Sequence, residues 1–214
     1  MQWECFPEQI IDYKTDIGLI AARRWPTALT AQQFEQVTGL PEIPQFLQKD
    51  VDEAGNLAVF SNGEIHYTIK GKHAKVSVIW DFEAPAGTGD THYSIMRGDK
   101  AHLVIKQGAA ENYRPVLYAV PADGQDGPAF RQALQGAVDQ LAGQYAGLSF
   151  SETGNGDYRI HIDPSLETTH EEHFAKVTSK FLGFLKAGKL PDWEAPNMIA
   201  KYYTTTAALE MARQ

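Results

Sequence analysis

The chain holds a single cysteine in 214 residues, Cys5, so no internal disulfide can staple it. No apolar run approaches the roughly 18 residues that a membrane span requires. No cluster of Lys and Arg interleaved with aromatics appears, and the formal charge of -8 repels phosphate backbones. Neither nucleic acid nor a membrane is therefore an expected partner. No strand is followed by GxGxxG, so the fingerprint of a dinucleotide site is missing. The opening Met1-Gln2-Trp3-Glu4-Cys5-Phe6-Pro7 has neither a basic n-region nor an apolar h-region, and so it does not read as a signal peptide. It lacks a helix start as well. Trp3, Cys5 and Phe6 read as the tail of an element whose earlier residues lie elsewhere, with Met1 as a cloning start. The reading is of a protein suited to a reducing compartment, and the expected location is cytoplasmic.

What is present is enough apolar content, 43%, to bury one substantial core, and one domain over residues 1–214 is expected. The first 50 residues are mixed in pattern, with a short helix from Thr30 to Val37 that Thr30 caps and Gln33 boxes. From Gly55 to Val120 the period is two. Asn62-Gly63, Gly71, the Pro85-to-Gly89 loop and Gly98 punctuate this run as turns. The predicted strands are Leu57–Phe60, Glu64–Lys70, His73–Glu83, Asp90–Arg97, Ala101–Gln107 and Val116–Val120, too closely spaced for helical crossovers. A helix from Pro128 to Tyr145 follows, then strands Leu148–Glu152 and Tyr158–Ile162. A second long helix runs from Thr169 to Ala187 with a core stripe of Phe174, Val177, Phe181 and Phe184, and a last helix starts near Pro196. This order predicts an α+β fold, a large, mostly antiparallel open sheet with helices packed on one face.

The polar residues gather in Val78 to Gly108. A hairpin of His73–Glu83 with Asp90–Arg97 would set Asp81 opposite His92 and Glu83 opposite Asp90 on one face, with Trp80 opposite Tyr93 on the core face. Three carboxylates around an imidazole can move protons near neutral pH; the bland alternative is a solvated sheet face. Gly87-Thr88-Gly89-Asp90 lies between strands and not before a helix, so it is loop and not phosphate cradle. Arg97-Gly98-Asp99 reads as a β-turn. His170-Glu171-Glu172-His173 spaces its histidines three apart, one short of a zinc-protease helix, so they read as hydrogen-bonded core or cleft residues that extend the apolar stripe of their helix. A metal site with Asp163 or Asp90 stays open as the weaker option. Lys201-Tyr202-Tyr203-Thr204-Thr205-Thr206 reads as a packing segment first and a sugar-binding one second.

Taken together, Ala74 to Trp80, Gly89 to Gly98, His170 to Phe174 and Ala200 to Thr206 resemble the C-terminal domain of oxidoreductases of the glucose-fructose oxidoreductase and inositol dehydrogenase type (Gfo/Idh/MocA). The resemblance spans nearly the whole chain. It implies an N-terminal Rossmann domain that holds NAD or NADP in the full-length protein, with no cofactor held by this chain. It also implies a C-terminal sheet that covers the substrate and often forms the oligomer interface. The family's Glu-Lys-Pro motif is absent, and Lys189-Leu190-Pro191 does not replace it. By the resemblance, Asp90, His92, Arg97, His170 and His173 face the substrate pocket as orienting or acid/base groups. The implied partners are a sugar-like small molecule, the protein's own Rossmann domain and a second copy of the chain. Two other readings stay open: a stand-alone ligand-binding or scaffold module, and a glycoside hydrolase working through an Asp/Glu/His cluster.

Overall fold

Pro26 has no N–H to give to a strand ladder, and the longest pairing in the structure is broken beside it. The computed structural model describes residues 2–166 and 168–214; Met1, Glu167 and the side chain of His170 lie outside the described residues. In chain order the elements are α1 (Gln2–Cys5), β1 (Ile17–Leu29), α2 (Ala31–Thr38), β2 (Leu57–Ile69), β3 (Lys72–Val78), β4 (His92–Arg97) and β5 (Ala101–Gln107). There follow β6 (Val116–Pro121), α3 (Gly127–Leu141), β7 (Ser149–Glu152), β8 (Tyr158–His161), α4 (His170–Ala187) and α5 (Glu194–Met211). The class is α+β, as expected. The strands, however, form two antiparallel sheets, one ordered β1-β2-β3 and one ordered β4-β5-β6-β8-β7. The chain divides into two compact units, Met1–Glu83 with Thr178–Gln214, and Ala84–Val177.

In the first unit, β2 pairs with β1 from Ile17↔Ile69 to Leu29↔Leu57, and with β3 from Gly63↔Val78 to Ile69↔Lys72. The core beneath it joins Ile11, Ile17, Tyr67, Ile69 and Ala74 to Ala200 of α5. α5 buries Ala200, Thr204 and Ala208, one small residue per turn, and the Thr204 hydroxyl is satisfied by donating to the Ala200 carbonyl at 2.7 Å. Asn197 pins the incoming chain, accepting from the Ile11 N–H at 2.9 Å and donating to the Gln9 carbonyl at 2.9 Å. α2 starts and stops as its sequence dictates: Thr30 and Gln33 form the capping box, and Gly39 closes the helix at φ 73°.

Asn62-Gly63 is not a turn. It lies inside the 13-residue β2, and Asn62 is only 4% exposed. Its amide nitrogen donates to the Trp25 carbonyl at 3.2 Å and to Thr27 Oγ1 at 2.9 Å, and its amide oxygen accepts the Trp80 N–H at 2.7 Å. Thr27 in turn donates to the Trp80 carbonyl. The expected hairpin of His73–Glu83 with Asp90–Arg97 therefore does not form. Side chains of β1 and β2 take both polar groups of Trp80's backbone, Phe82 turns through a left-handed φ of 70°, and β3 ends at Val78. The two rings pack edge to face, centroids 6.2 Å apart, against the cluster of Leu29, Phe34 and Leu57.

In the second unit, β4 pairs with β5 from His92↔Gln107 to Arg97↔His102, so Asp81 and Glu83 do not face His92 and Asp90 across a ladder. α3, capped by Asp126 and opened by Pro128, lays Phe130 on Ala119, Tyr158 and Ile160. α4 forms where its period predicts, but most of the stripe expected to be core is open: Phe174, Val177 and Phe181 are 62%, 65% and 57% exposed, and only Phe184 is half-buried. A helical period marks an apolar face without saying what covers it. Asn62→Ala should lower the unfolding free energy by about 2 kcal/mol, because it orphans the Trp80 N–H and the Trp25 carbonyl. An unchanged urea midpoint would contradict this account of how β3 ends.

Candidate functional site

Alternation along β2 sends Ile65, Tyr67 and Ile69 into the core and leaves Glu64, His66 and Thr68 on the other face. The register sets Arg23 of β1 and Ser77 of β3 beside Glu64, and Lys75 of β3 beside His66. Three basic groups thus converge on one carboxylate. Glu64 receives Lys75 Nζ at 2.9 Å, His66 Nε2 at 3.1 Å and Arg23 Nε at 3.3 Å. Its side chain is 12% exposed while those of Lys75 and Arg23 are 57% and 68% exposed, so the anion sits under its cations. The Lys75 ammonium first, then Arg23 and His66, hold the Glu64 carboxyl down at about 2, against the usual 4.5. Glu64 therefore transfers no proton near neutrality and serves as a fixed anchor. Arg23 also lies over the Trp25 ring, 4.8 Å from its centroid, which extends this polar platform along β1.

A cavity of about 320 Å³ opens in the same unit beside α5, and Arg23 and Glu64 line it together with Arg24, Phe60, Ile65 and Leu209. Arg24 covers the Phe60 ring at 4.3 Å. The second unit contains a larger cavity of about 720 Å³, between α3 and the β4–β5 side of its sheet. Its floor is Ala101, Leu103 and Ala119, and Arg97, Lys100 and Gln125 supply its polar rim. That size and an apolar lining with a few polar groups are the usual properties of a small-molecule site.

The five residues expected at the substrate pocket are placed as follows. Asp90 precedes β4, exposed, and its carbonyl accepts from Gln107 Nε2 at 3.0 Å. His92 opens β4, exposed, opposite Gln107. Arg97 ends β4 and lines the larger cavity. Alternation places His92 and Arg97 on opposite faces of β4, so the strand itself does not bring them together. His173 lies in the first turn of α4 with its side chain exposed, and the side chain of His170 lies outside the described residues. Glu172, between them, has a local task. Its carboxylate accepts the Thr169 N–H at 2.7 Å while Thr169 Oγ1 accepts the Glu172 N–H at 3.2 Å, a capping box that lowers the Glu172 carboxyl below its usual range. Among the described residues no group of three or more His, Cys, Asp or Glu is arranged to hold a metal ion.

Two features escaped the sequence reading. The Glu64 hub draws on three strands, and only the alternation of Glu64 and His66 hinted at it. His102 of β5, opposite Arg97, has a buried Nδ1 without a hydrogen-bond partner among the described residues. Nothing in the local sequence sets it apart from His161, which bonds Ser151 at 2.8 Å. The described residues also do not fit a dinucleotide. All the strand pairs are antiparallel, with no parallel βαβ unit to aim a helix N-terminus at a pyrophosphate.

An α+β domain built on two antiparallel sheets with open faces is the class that this geometry defines. Residues 1–213 match the family described as "Putative oxidoreductase C terminal domain", and the chain belongs to that family. It is similar to the crystal structure of a putative oxidoreductase from Parabacteroides merdae, with 50% identity and a TM-score of 0.95. The match covers 99% of this chain and 48% of that one, so this chain spans about half the length of its relative. None of the curated proteins matches. No helix among the described residues is long and apolar enough to cross a membrane.

The lowered Glu64 carboxyl makes a pH prediction. Because its folded value lies below its unfolded one, it contributes stability that is complete above about 4.5 and is lost as pH falls toward about 2. Wild type should therefore be more stable than Glu64→Gln at pH 7, and the difference should shrink through that window. A gap in urea midpoints that does not change with pH would contradict the hub.

Proposed function

We propose that this chain is the substrate-binding and oligomerisation domain of an NAD(P)-dependent oxidoreductase of the Gfo/Idh/MocA type, acting on a sugar or polyol derivative and inactive alone. The observation that carries the reading is the family match over residues 1–213 together with the 48% share of the solved relative that the chain spans. The remaining half of such a protein would supply the Rossmann fold and the nicotinamide, which performs the hydride chemistry when bound. This chain's part is to bind and orient. Asp90 and His92 would offer an acid/base pair to a substrate hydroxyl and Arg97 a cation, with His170 and His173, at the start of α4, as the further candidates. The exposed Cys5 and the lack of disulfides suit the cytoplasm.

Self-association is the second part of the proposal. The edge strand β3 leaves Val76 and Val78 at 38% and 58% exposure, and the edge strand β4 leaves Tyr93 at 64%. Unpaired edges of this kind invite a partner strand.

Three outcomes test the reading. Coding sequence upstream of the Gln2 codon should encode a strand, GxGxxG and a helix in frame; a stop codon there would contradict it. In the full-length protein, His92→Ala should keep the thermal midpoint and lower NAD(P)-dependent turnover of a sugar or polyol panel by about a hundredfold. Unchanged turnover would remove His92 from the site. Light scattering of the chain should give the mass of two copies, and the mass of one copy would defeat the oligomerisation role.

A further inference from the structure

The larger cavity exists because of how α3 distributes its side chains. Phe130, Leu134 and Val138 recur at helical spacing, and Phe130 and Val138 are buried. Phe130 lies on the Tyr158 ring, centroids 5.5 Å apart, and Leu134 packs into the same cluster. The neighbouring row, Ala129, Ala133 and Ala137, lines the cavity with three methyl groups where larger side chains would fill the space. Below, Leu103 remains 41% exposed although it faces the interior of its own unit. About 720 Å³ of largely apolar volume results, enough for a fused-ring or branched aliphatic body.

Its polar groups are confined to one end. Lys100 and Arg97 flank the β4–β5 turn, and the Ala122 N–H donates to the Lys100 carbonyl at 3.1 Å, which draws the α3 approach and Gln125 to the same end. Neither Lys100 nor Arg97 forms an ion pair among the described residues. In a chain of net charge -8, two cations at the mouth of an apolar cavity are a specific complement, and Asp99, between them in the turn, is not part of its lining. The nearby carboxylate of Asp126 is engaged as the α3 cap, accepting the Ala129 N–H at 3.2 Å. β4 is an edge strand and Arg97 is its last residue, at the rim of the cavity.

We infer that this cavity is a binding site for a small amphipathic carboxylate, its ring or alkyl body lying between the alanine row of α3 and Leu103, and its carboxylate at Lys100 and Arg97. A polyol would leave its hydroxyls unpaired against this lining. The site stands apart from the redox reading: binding needs neither a nicotinamide nor a second half of the protein. Arg97 is shared with the proposed sugar site, whereas Lys100 and Ala133 are not, so variants at those two positions let the two proposals fail separately.

The test is a fluorescence titration of the 214-residue chain with naphthoate and with its uncharged isostere naphthamide. Naphthoate should bind saturably, one per chain, about tenfold more tightly than naphthamide. Lys100→Gln, at an exposed position, should remove most of that preference while leaving naphthamide binding unchanged. Ala133→Trp should fill the cavity and abolish both. Absence of saturable binding, equal affinity for the two probes, or undiminished binding in Ala133→Trp would each overturn the assignment. If Ala133→Trp fails to fold, the surface variant Lys100→Gln decides the matter alone.

Discussion

The amide of Asn62 is the interaction on which the rest of the first unit depends. Pro26 opens a defect in the β1–β2 ladder, and a buried carboxamide closes it while also capturing the backbone of Trp80. A buried polar group is tolerated only when its hydrogen bonds are made, and here one side chain meets one carbonyl, one hydroxyl and one N–H at once. Its consequence reaches beyond the defect. By holding Trp80 against β1 and β2, it ends β3 at Val78 and sends Trp80 and Phe82 into a core cluster, so the polar residues that follow belong to a different sheet.

That constraint also explains what could be read from sequence and what could not. Capping is local chemistry, and Thr30 with Gln33 marked α2 correctly, as the alternation of Ala101 to Gln107 marked β5 without error. β1 was missed because Arg23, Arg24 and Pro26 interrupt its apolar pattern. The Asn62-Gly63 pair was misread because its sequence is that of a hairpin turn, whereas its tertiary role is to bridge three segments. The hairpin joining Asp81 to His92 failed for the same reason: pairing across a loop looks symmetric in sequence until a distant side chain takes the backbone groups it needs. Of the expected site residues, Asp90 and His92 remain neighbours at the start of β4, and Arg97 meets a cavity. The Glu64 hub was hidden because it assembles Arg23, His66 and Lys75 only after three strands have paired.

The two units offer complementary chemistry. The first presents a fixed carboxylate under three basic groups on an open sheet face, with Trp25 alongside. The second presents an apolar cavity with cations at one end. Under the proposed function, both arrangements would bind and orient, and the groups for hydride transfer would come from the other half of the protein. This division of labour fits a C-terminal oxidoreductase domain whose relative is about twice its length. Chemistry on the cofactor would belong to one half, and recognition to this one.

The central claim is tested most directly by titrating NADH and NADPH, followed by nicotinamide fluorescence, into the full-length protein and into the 214-residue chain. The account predicts saturable binding of one of the two by the full-length protein and none by the chain. Saturable binding of either dinucleotide to the chain alone would contradict it.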